Sequence, residues 1–133
     1  MPFGGRPPQQ VKLTGPDVLL SPGSAEALAM AMHEMATNAL KYGALSSPSG
    51  HVQISWDIVP DQGADGTVEG PGSAFVIVWE ESDGPPVVEP ERRGFGSRII
   101  VDVPRVKLNA AVSIAYPPTG FRWSLRCATS GIS

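Results

Sequence analysis

One uninterrupted stretch of strong helix formers, residues 25–42, constrains the fold more than any other part of the chain. The 133-residue chain contains 15 glycines and 14 prolines, yet none of them falls within this stretch. Ser21 or Ser24 can cap the start of the predicted helix, and Gly43 can end it with a left-handed cap. Four apolar residues recur close to one helix face at about 100° per residue: Leu28, Met32, Ala36 and Ala39. The fold should therefore contain one long helix with a single buried face.

Short apolar runs on both sides of this helix predict a sheet. Six runs have the length and composition of strands: 11–13, 18–20, 51–59, 75–79, 112–116 and 121–126. Run 51–59 alternates apolar and polar residues like a half-buried strand, whereas run 75–79 is almost continuously apolar like a central strand. A second, short helix is expected from Ser97 to about Val103, and Pro104 should kink or stop it. The predicted fold class is α/β, in the α+β two-layer form, with a mixed, mostly antiparallel sheet and helices packed on one face.

Length and composition limit the organisation and exclude several functions. The chain suits one domain, with residues 1–10 as a tail or linker remnant and residues 11–133 as the folded unit. The net charge is −3, and the charged residues are scattered along the sequence, so no basic stripe is present to bind nucleic acid. No run approaches the roughly 18 apolar residues of a membrane span, and we expect a cytoplasmic domain without membrane contact. The single cysteine, Cys127, is expected to be a small strand residue.

The polar face of the long helix is the first candidate site. Glu34, Asn38 and Lys41 lie within about 60° of one another around a helix of 3.6 residues per turn. They form a stripe that is expected to lie roughly opposite the apolar residues, so the helix can bury one side and present a carboxylate, an amide and an ammonium on the other. Exposed helix faces with these residue types are also common in proteins that bind nothing there. The stripe alone therefore leaves both interpretations open.

The segment 81–97 is the second candidate site. Glu81 and Asp83 precede Gly84 at its start, and a Gly-x-Gly sequence leads into the short helix at its end. Glycine lets the backbone approach a ligand closely, and the start of a helix directs free N–H groups at phosphate. Surface turns contain such spacings by chance, so this segment alone is weak evidence for a site.

Taken together and in order, three motifs resemble those of the histidine kinases of the HWE type. They are an N box at residues 33–45, a first glycine box that begins with Trp79 and Glu81, and a second glycine box at residues 93–98. The resemblance covers the chain from about residue 13 to residue 125, and three motifs at compatible spacing are hard to obtain by chance. It implies the Bergerat ATP-binding fold, which is shared by gyrase, the Hsp90 chaperone, histidine kinases and the MutL repair protein.

The resemblance implies roles for the residues of the N box. Asn38 would bind the Mg²⁺ that bridges the nucleotide phosphates, and an amide oxygen is a suitable hard ligand for that ion. Lys41 would neutralise phosphate charge, and Glu34 would act as a catalytic base or orient the nucleophile. His33 lies at the border of the polar face. Its expected role in catalysis is a local hydrogen bond that fixes Glu34 or the glycine loop, and it is not expected to be the residue that becomes phosphorylated. Tyr42 belongs to the same box and is counted among the ATP-binding residues.

Adenine recognition is assigned to the first glycine box by the same resemblance. An acidic residue in that box normally accepts a hydrogen bond from the adenine amino group. The family motif favours Glu81 and proximity to Gly84 favours Asp83; we prefer Glu81, and both stay open. Trp79 is expected in the core, with shaping of the adenine pocket as the alternative. Gly94 and Gly96 would place backbone N–H groups on the phosphates, with Ser97 near them. The other residues counted as ATP-binding are Gly84, Arg93 and Phe95.

The implied function is that of the ATP-binding catalytic domain of a two-component sensor histidine kinase. Such a domain transfers the γ-phosphate of ATP to a histidine on a phosphoacceptor helix, and a downstream response regulator is the next expected partner. In the family that helix lies N-terminal to the catalytic domain, and nothing before Val11 could form it. The chain by itself should therefore not become phosphorylated.

Two other functions remain compatible with the sequence. One is a nucleotide-binding signalling module without catalysis, against which the intact N-box residues argue. The other is a serine/threonine kinase of the anti-sigma type on the same fold, which the Trp79 and Glu81 pair disfavours. Phosphotransfer to a supplied histidine helix would distinguish the three.

Overall fold

A computed structural model of the chain describes residues 10–61, 72–85, 98–118 and 120–132. Two α-helices and five strands lie in these ranges: β1 Val11–Thr14, α1 Pro22–Lys41, β2 His51–Asp61, β3 Gly72–Ser82, α2 Val103–Leu108, β4 Ala111–Ala115 and β5 Arg122–Ala128. A 3₁₀ turn at Ala44–Ser46 follows α1, and a π-helical turn at Arg98–Asp102 precedes α2. None of the helices in the described ranges is long and apolar enough to cross a membrane.

The strands form one mixed sheet in the order β1-β2-β3-β5-β4. β1 runs parallel to β2, and the other three pairings are antiparallel. Trp79 of the central strand β3 faces Ile54 of β2 on one side and Trp123 of β5 on the other. The structure thus confirms the predicted fold class, and it confirms that the most continuously apolar run forms the central strand.

The hydrophobic core lies between one face of the sheet and the helices. Alternate residues of the three inner strands are buried: Val52, Ile54, Phe75, Ile77, Trp79, Trp123, Leu125 and Cys127. The prediction that Cys127 is a small strand residue is confirmed, and burial raises the pKa of its thiol. The other face of the sheet carries polar residues, among them Glu80 and Arg122, whose Nε donates to a Glu80 carboxylate oxygen at 3.3 Å.

The long helix is present, but its buried face differs from the predicted one. It begins at Pro22, and the Ser21 hydroxyl caps it by accepting from the backbone N–H of Ser24 at 3.3 Å. Its buried residues are Ser24, Ala27, Leu28, Ala31, Met35 and Ala39, whereas Met32 and Ala36 are only partly buried. Leu28 and Ala39 belong to both the predicted and the observed face, and the difference is that Ala31 and Met35 are buried in place of Ala36 and Met32, because tertiary packing selects among residues of the same types. The core-facing side is therefore rotated from the expected position.

Two local predictions, a helix cap and a short strand, were wrong. Gly43 was expected to end α1 in a left-handed conformation, but its φ is −112°. Its lack of a side chain matters for a different reason, because a Cβ there would lie 2.3 Å from the Glu81 Oε1 atom. Residues 18–20 were expected to be a strand and are not. The chain leaves the sheet after Thr14, where Pro16 has no N–H to pair and its carbonyl accepts from the Trp56 indole at 2.7 Å.

The second helix is longer than predicted. Pro104 does not stop it: the π-helical turn changes there into α2, which continues to Leu108. Proline is tolerated in the first turn of an α-helix because its missing N–H needs no partner there. Asn109, with a φ of 51°, ends α2 in the left-handed conformation. Ser97, the predicted first residue, lies outside the described residues.

Candidate nucleotide-binding site

Glu81 is the one charged side chain that is buried among the described residues, with 6% of its surface exposed. Its Oε1 accepts from the backbone N–H of Ala44 at 3.0 Å, and its Oε2 accepts from the Trp79 indole N–H at 3.0 Å. Both donors are buried with it, and hydrogen bonds of this charge-assisted kind are the strong ones in proteins. The orientation of this carboxylate is therefore set from two sides, by its own strand and by the end of α1.

Two glycines let the first glycine box approach the end of the N box. Gly43 leaves the space that Glu81 Oε1 fills. Gly84 packs against the Ala44 backbone, where a Cβ would lie 2.5 Å from the Ala44 Cα atom. Because neither approach leaves room for a side chain, glycine is required on both sides of the contact. The structure thus brings together two motifs that are far apart along the chain.

Asp83, the alternative adenine reader, has a different environment from Glu81. Its side chain is exposed, and its φ of 60° is in the left-handed region that aspartate tolerates better than most residues. Its backbone carbonyl accepts from the Ser49 hydroxyl at 3.2 Å, which ties the turn after β3 to the loop after α1. Glu81 is thus a fixed, buried acceptor, and Asp83 is an exposed one.

The N-box stripe lies beside the core and not opposite to it. Asn38, Lys41 and Tyr42 are exposed, and Glu34 is partly buried. At 3.6 residues per turn the centre of the stripe is only about 80° from the centre of the buried face of α1. The prediction that the two faces lie roughly opposite is therefore wrong, because Ala31 and Met35 replace Met32 and Ala36 as core residues. Glu34 consequently sits at the border between core and solvent.

His33 is exposed on α1, and within the described ranges it makes no hydrogen bond to Glu34. The glycine loop, which was its other predicted partner, lies outside the described residues. The catalytic part assigned to His33 through such a bond stays a prediction.

The second glycine box itself, with Arg93, Gly94, Phe95, Gly96 and Ser97, lies outside the described residues. The segment that follows it is anchored: Ile100 and Val101 are buried, and the Ile100 carbonyl accepts from the Trp123 indole at 2.7 Å. The Arg98–Asp102 turn packs against α1. The chain that leaves the second glycine box is therefore held beside the helix that carries the N box.

No group of three or more His, Cys, Asp or Glu residues in the described part of the chain could hold a metal ion by itself. A surface depression at α2 is lined by Asp102, Arg105, Val106, Asn109 and Ala110, and contains none of the predicted site residues. The candidate site is therefore the region where α1, the Gly43–Ala44 turn and the end of β3 meet.

Sequence reasoning missed the contact between Trp79, Glu81 and the Ala44 N–H. Residues two apart on a strand point to the same face, so the Trp-x-Glu spacing already carried a signal that the two side chains are neighbours. Nothing in the sequence indicated that a backbone N–H after α1 would be the second donor.

Curated relatives with matching sequences are histidine kinases. Proteins named blue-light-activated histidine kinase from Brucella anthropi and Brucella ovis are each 37% identical to this chain over 119 residues. The match covers 90% of this chain and 23% of each relative, so the chain spans about a quarter of their length. No protein-family model matches the chain.

Solved structures with the same fold are also histidine kinase catalytic domains. The histidine kinase domain of the Erythrobacter litoralis EL346 blue-light activated histidine kinase matches with a TM-score of 0.68 at 22% identity, over 96% of this chain and 55% of that one. The catalytic domain of the histidine kinase ThkA matches with a TM-score of 0.54 at 10% identity, over 90% and 79%. At these identities the likeness establishes the fold, and it agrees with the fold that the three motifs implied.

Proposed function

We propose that this chain, whose sequence and fold are those of a histidine kinase catalytic domain, binds ATP and transfers its γ-phosphate to a histidine on a separate phosphoacceptor helix. The chain spans 23% of the length of its Brucella relatives, and the acceptor helix and response regulator are part of the proposal. Because such a kinase uses the cytoplasmic ATP pool, the domain would work in the cytoplasm.

The observation that carries this proposal is the meeting of the N box and the first glycine box at Glu81. The carboxylate accepts from Ala44, which belongs to the N box, and from Trp79, which opens the first glycine box. Two motifs that resemble nucleotide-binding boxes are thus adjacent in space. A surface helix with a chance Glu, Asn and Lys stripe would not need this buried connection.

Glu81 is the preferred adenine reader. An ionised carboxylate has about four acceptor positions, and the protein occupies two of them through Ala44 and Trp79. The remaining positions can accept from the adenine amino group. An acceptor whose orientation is already set loses little freedom on binding, which favours selectivity. Asp83 stays the alternative, since its exposed carboxylate could accept a hydrogen bond from the amino group of an adenine bound over it.

Asn38 and Lys41 would contact the phosphates. Both are exposed on the same side of α1, one turn apart, so an amide oxygen and an ammonium are available together. The amide suits Mg²⁺, which prefers oxygen ligands and takes several of them from water and from phosphates. When bound, the ion neutralises charge on the phosphates during transfer.

Glu34 would take part in the transfer itself. A ring nitrogen of the acceptor histidine forms a bond to the γ-phosphorus while the bond from that phosphorus to the bridging oxygen breaks, and ADP leaves with the electron pair. The imidazole N–H proton is then released, and Glu34 would receive it. Glu34 lies one turn before Asn38 on the same stripe, at the border between core and solvent. That position allows it to face the phosphates without holding the nucleotide.

The test is a titration with ATP in the presence and absence of Mg²⁺, followed by transfer from γ-labelled ATP to a supplied phosphoacceptor helix. We expect Mg²⁺-dependent binding and an acid-labile, base-stable phosphate on the helix. Binding without transfer would favour the non-catalytic module, and acid-stable phosphate on serine of a partner would favour the anti-sigma type. Absence of ATP binding would overturn the proposal.

A further inference from the structure

We propose that Trp79 is a positioning residue for adenine selection: its indole N–H holds the Glu81 carboxylate against the Gly43–Ala44 turn, and this fixed orientation makes the site prefer adenine. The inference rests on the proposed ATP binding. The size and burial of Trp79 already explain why it fills the core. The inference assigns it a second role, which is to orient Glu81.

The geometry separates this contact from ordinary core packing. Trp79 is 2% exposed, and its Nε1 lies 3.0 Å from Glu81 Oε2. The tryptophan side chains at positions 123 and 56 donate to backbone carbonyls, at Ile100 and Pro16. Only Trp79 among the described tryptophans donates to a charged side chain, and that side chain is the buried carboxylate at the end of β3.

The carboxylate needs two donors to have one orientation. A glutamate side chain has three rotatable bonds, and the Ala44 N–H alone fixes one oxygen but leaves the carboxylate free to rotate about it. The Trp79 N–H fixes the second oxygen. Since Trp79 and Glu81 stand on the same face of β3, two residues apart, the strand itself sets the distance between them.

Removing the indole N–H while keeping an aromatic ring isolates this role. Trp79→Phe retains a large apolar side chain in the core and removes the donor. Trp56→Phe is the matched control, because it also removes an indole N–H that donates to a partner, here the Pro16 carbonyl at 2.7 Å, on the neighbouring strand β2. A general loss of stability should affect both variants, whereas a change in nucleotide selectivity should appear only in Trp79→Phe.

The measurements are calorimetric affinities for Mg²⁺-ATP and Mg²⁺-GTP on the whole chain. Hydrogen bonds to charged groups contribute more free energy than those between neutral groups. We therefore expect the ATP-over-GTP preference to fall by about tenfold or more in Trp79→Phe. In Trp56→Phe the ATP-over-GTP preference should stay within about twofold of that of the original chain, a free-energy change much smaller than the one that corresponds to a tenfold change in affinity. An unchanged preference in Trp79→Phe would overturn the inference and leave the proposed function intact. A native chain that binds neither nucleotide would instead overturn the proposed function, and this inference with it.

A spectroscopic readout keeps the inference testable if Trp79→Phe does not fold. The chain has three tryptophans, so nitrogen-15 labelling gives three indole N–H signals, and the Trp79 signal should move in Glu81→Gln while the other two stay. ATP should then move the Trp79 signal of the native chain more than GTP does. Equal shifts with both nucleotides, or a Trp79 signal that ignores Glu81→Gln, would refute the positioning role.

Discussion

Glu81 and Asp83 are two residues apart on the chain, yet their environments differ completely. The strand β3 holds Glu81 on the core side, where Ala44 and Trp79 satisfy both oxygens. The strand ends at Ser82, and Asp83, with a φ of 60°, is exposed. A buried carboxylate without its donors would be costly, so these contacts stabilise the fold as well as the site.

The two acids can be separated by their effect on purine selection. Glu81→Gln should lower the ATP-over-GTP preference, because an amide presents only one acceptor atom and cannot accept from both N–H donors. Asp83→Asn is the control, since asparagine also tolerates a positive φ and only the charge is lost. Competition binding with both nucleotides measures the result. If Asp83→Asn loses the preference and Glu81→Gln keeps it, the reader is Asp83.

Glu34 offers a test of chemistry apart from binding. A base acts mainly in the transition state, so Glu34→Gln should cut phosphotransfer to a supplied acceptor helix by at least ~10²-fold while ATP affinity stays within a few-fold. Glu26→Gln removes an exposed carboxylate near the start of the same helix and should change neither quantity. Near-normal transfer by Glu34→Gln would contradict the catalytic assignment. Equal losses in rate and affinity would show that Glu34 supports binding.

At the scale of elements, the end of α1 is fixed by a neighbouring strand. The backbone N–H groups of Tyr42 and Gly43 still donate to the Asn38 carbonyl, at 2.8 and 3.2 Å, so the last turn closes on itself. The next N–H, that of Ala44, donates to Glu81 instead. The C-terminal end of the N-box helix and the C-terminal end of β3 are therefore joined by a hydrogen bond, and a substitution that moves one end should also move the other.

Gly43→Ala tests this coupling. The added Cβ would lie 2.3 Å from Glu81 Oε1 and 3.1 Å from the Ala39 Cα atom, so either the carboxylate or the helix end must move. Overpacking of this kind costs about 1–3 kcal/mol, and ATP affinity should fall with it. Gly23→Ala is the control: nothing lies within 4 Å of its Cβ position in the first turn of α1, so stability should be kept or slightly raised. Urea unfolding compares the two, and equal midpoints would argue against the coupling.

At the scale of the whole molecule, one core serves both the sheet and the helices. Leu125 of β5 lies opposite Ile77 of β3 and Val112 of β4, and it is 1% exposed. The same cluster includes residues of α1 and of the turn before α2. The candidate site depends on this core for its stability, because the elements that carry the site residues, α1 and β3, also contribute side chains to the core.

A cavity in that core should lower the stability of the entire domain. Leu125→Ala removes a fully buried side chain, for which we expect a loss of about 2–5 kcal/mol in the free energy of unfolding. Leu19→Ala makes the same change at a residue that is 92% exposed, and should stay within about 0.5 kcal/mol of the original. Thermal or urea unfolding gives both values. A loss at Leu125 no larger than that at Leu19 would contradict the assignment of one shared core.

The sequence by itself determined the elements and the motifs. The run of helix formers before Gly43, the alternation in 51–59 and the apolar run 75–79 are local patterns, and they suffice to predict a long helix, a half-buried strand and a central strand. The three ordered boxes also sufficed to indicate the family, because residue types and spacing are properties of the chain alone. Pro104 was expected to kink or stop the second helix, and it does not stop it, because in the first turn of α2 its missing N–H needs no partner.

Only the tertiary structure decided which contacts those elements make. No local pattern states that Gly43 is needed to admit the Glu81 carboxylate, that Ala44 donates to it, or that α1 buries Ala31 and Met35 in place of Met32 and Ala36. These outcomes depend on residues far apart in the chain that meet only when the helix packs on the sheet. Long-range packing selects among side chains that are locally equivalent, and that is why the motifs were readable in advance while the geometry that joins them was not.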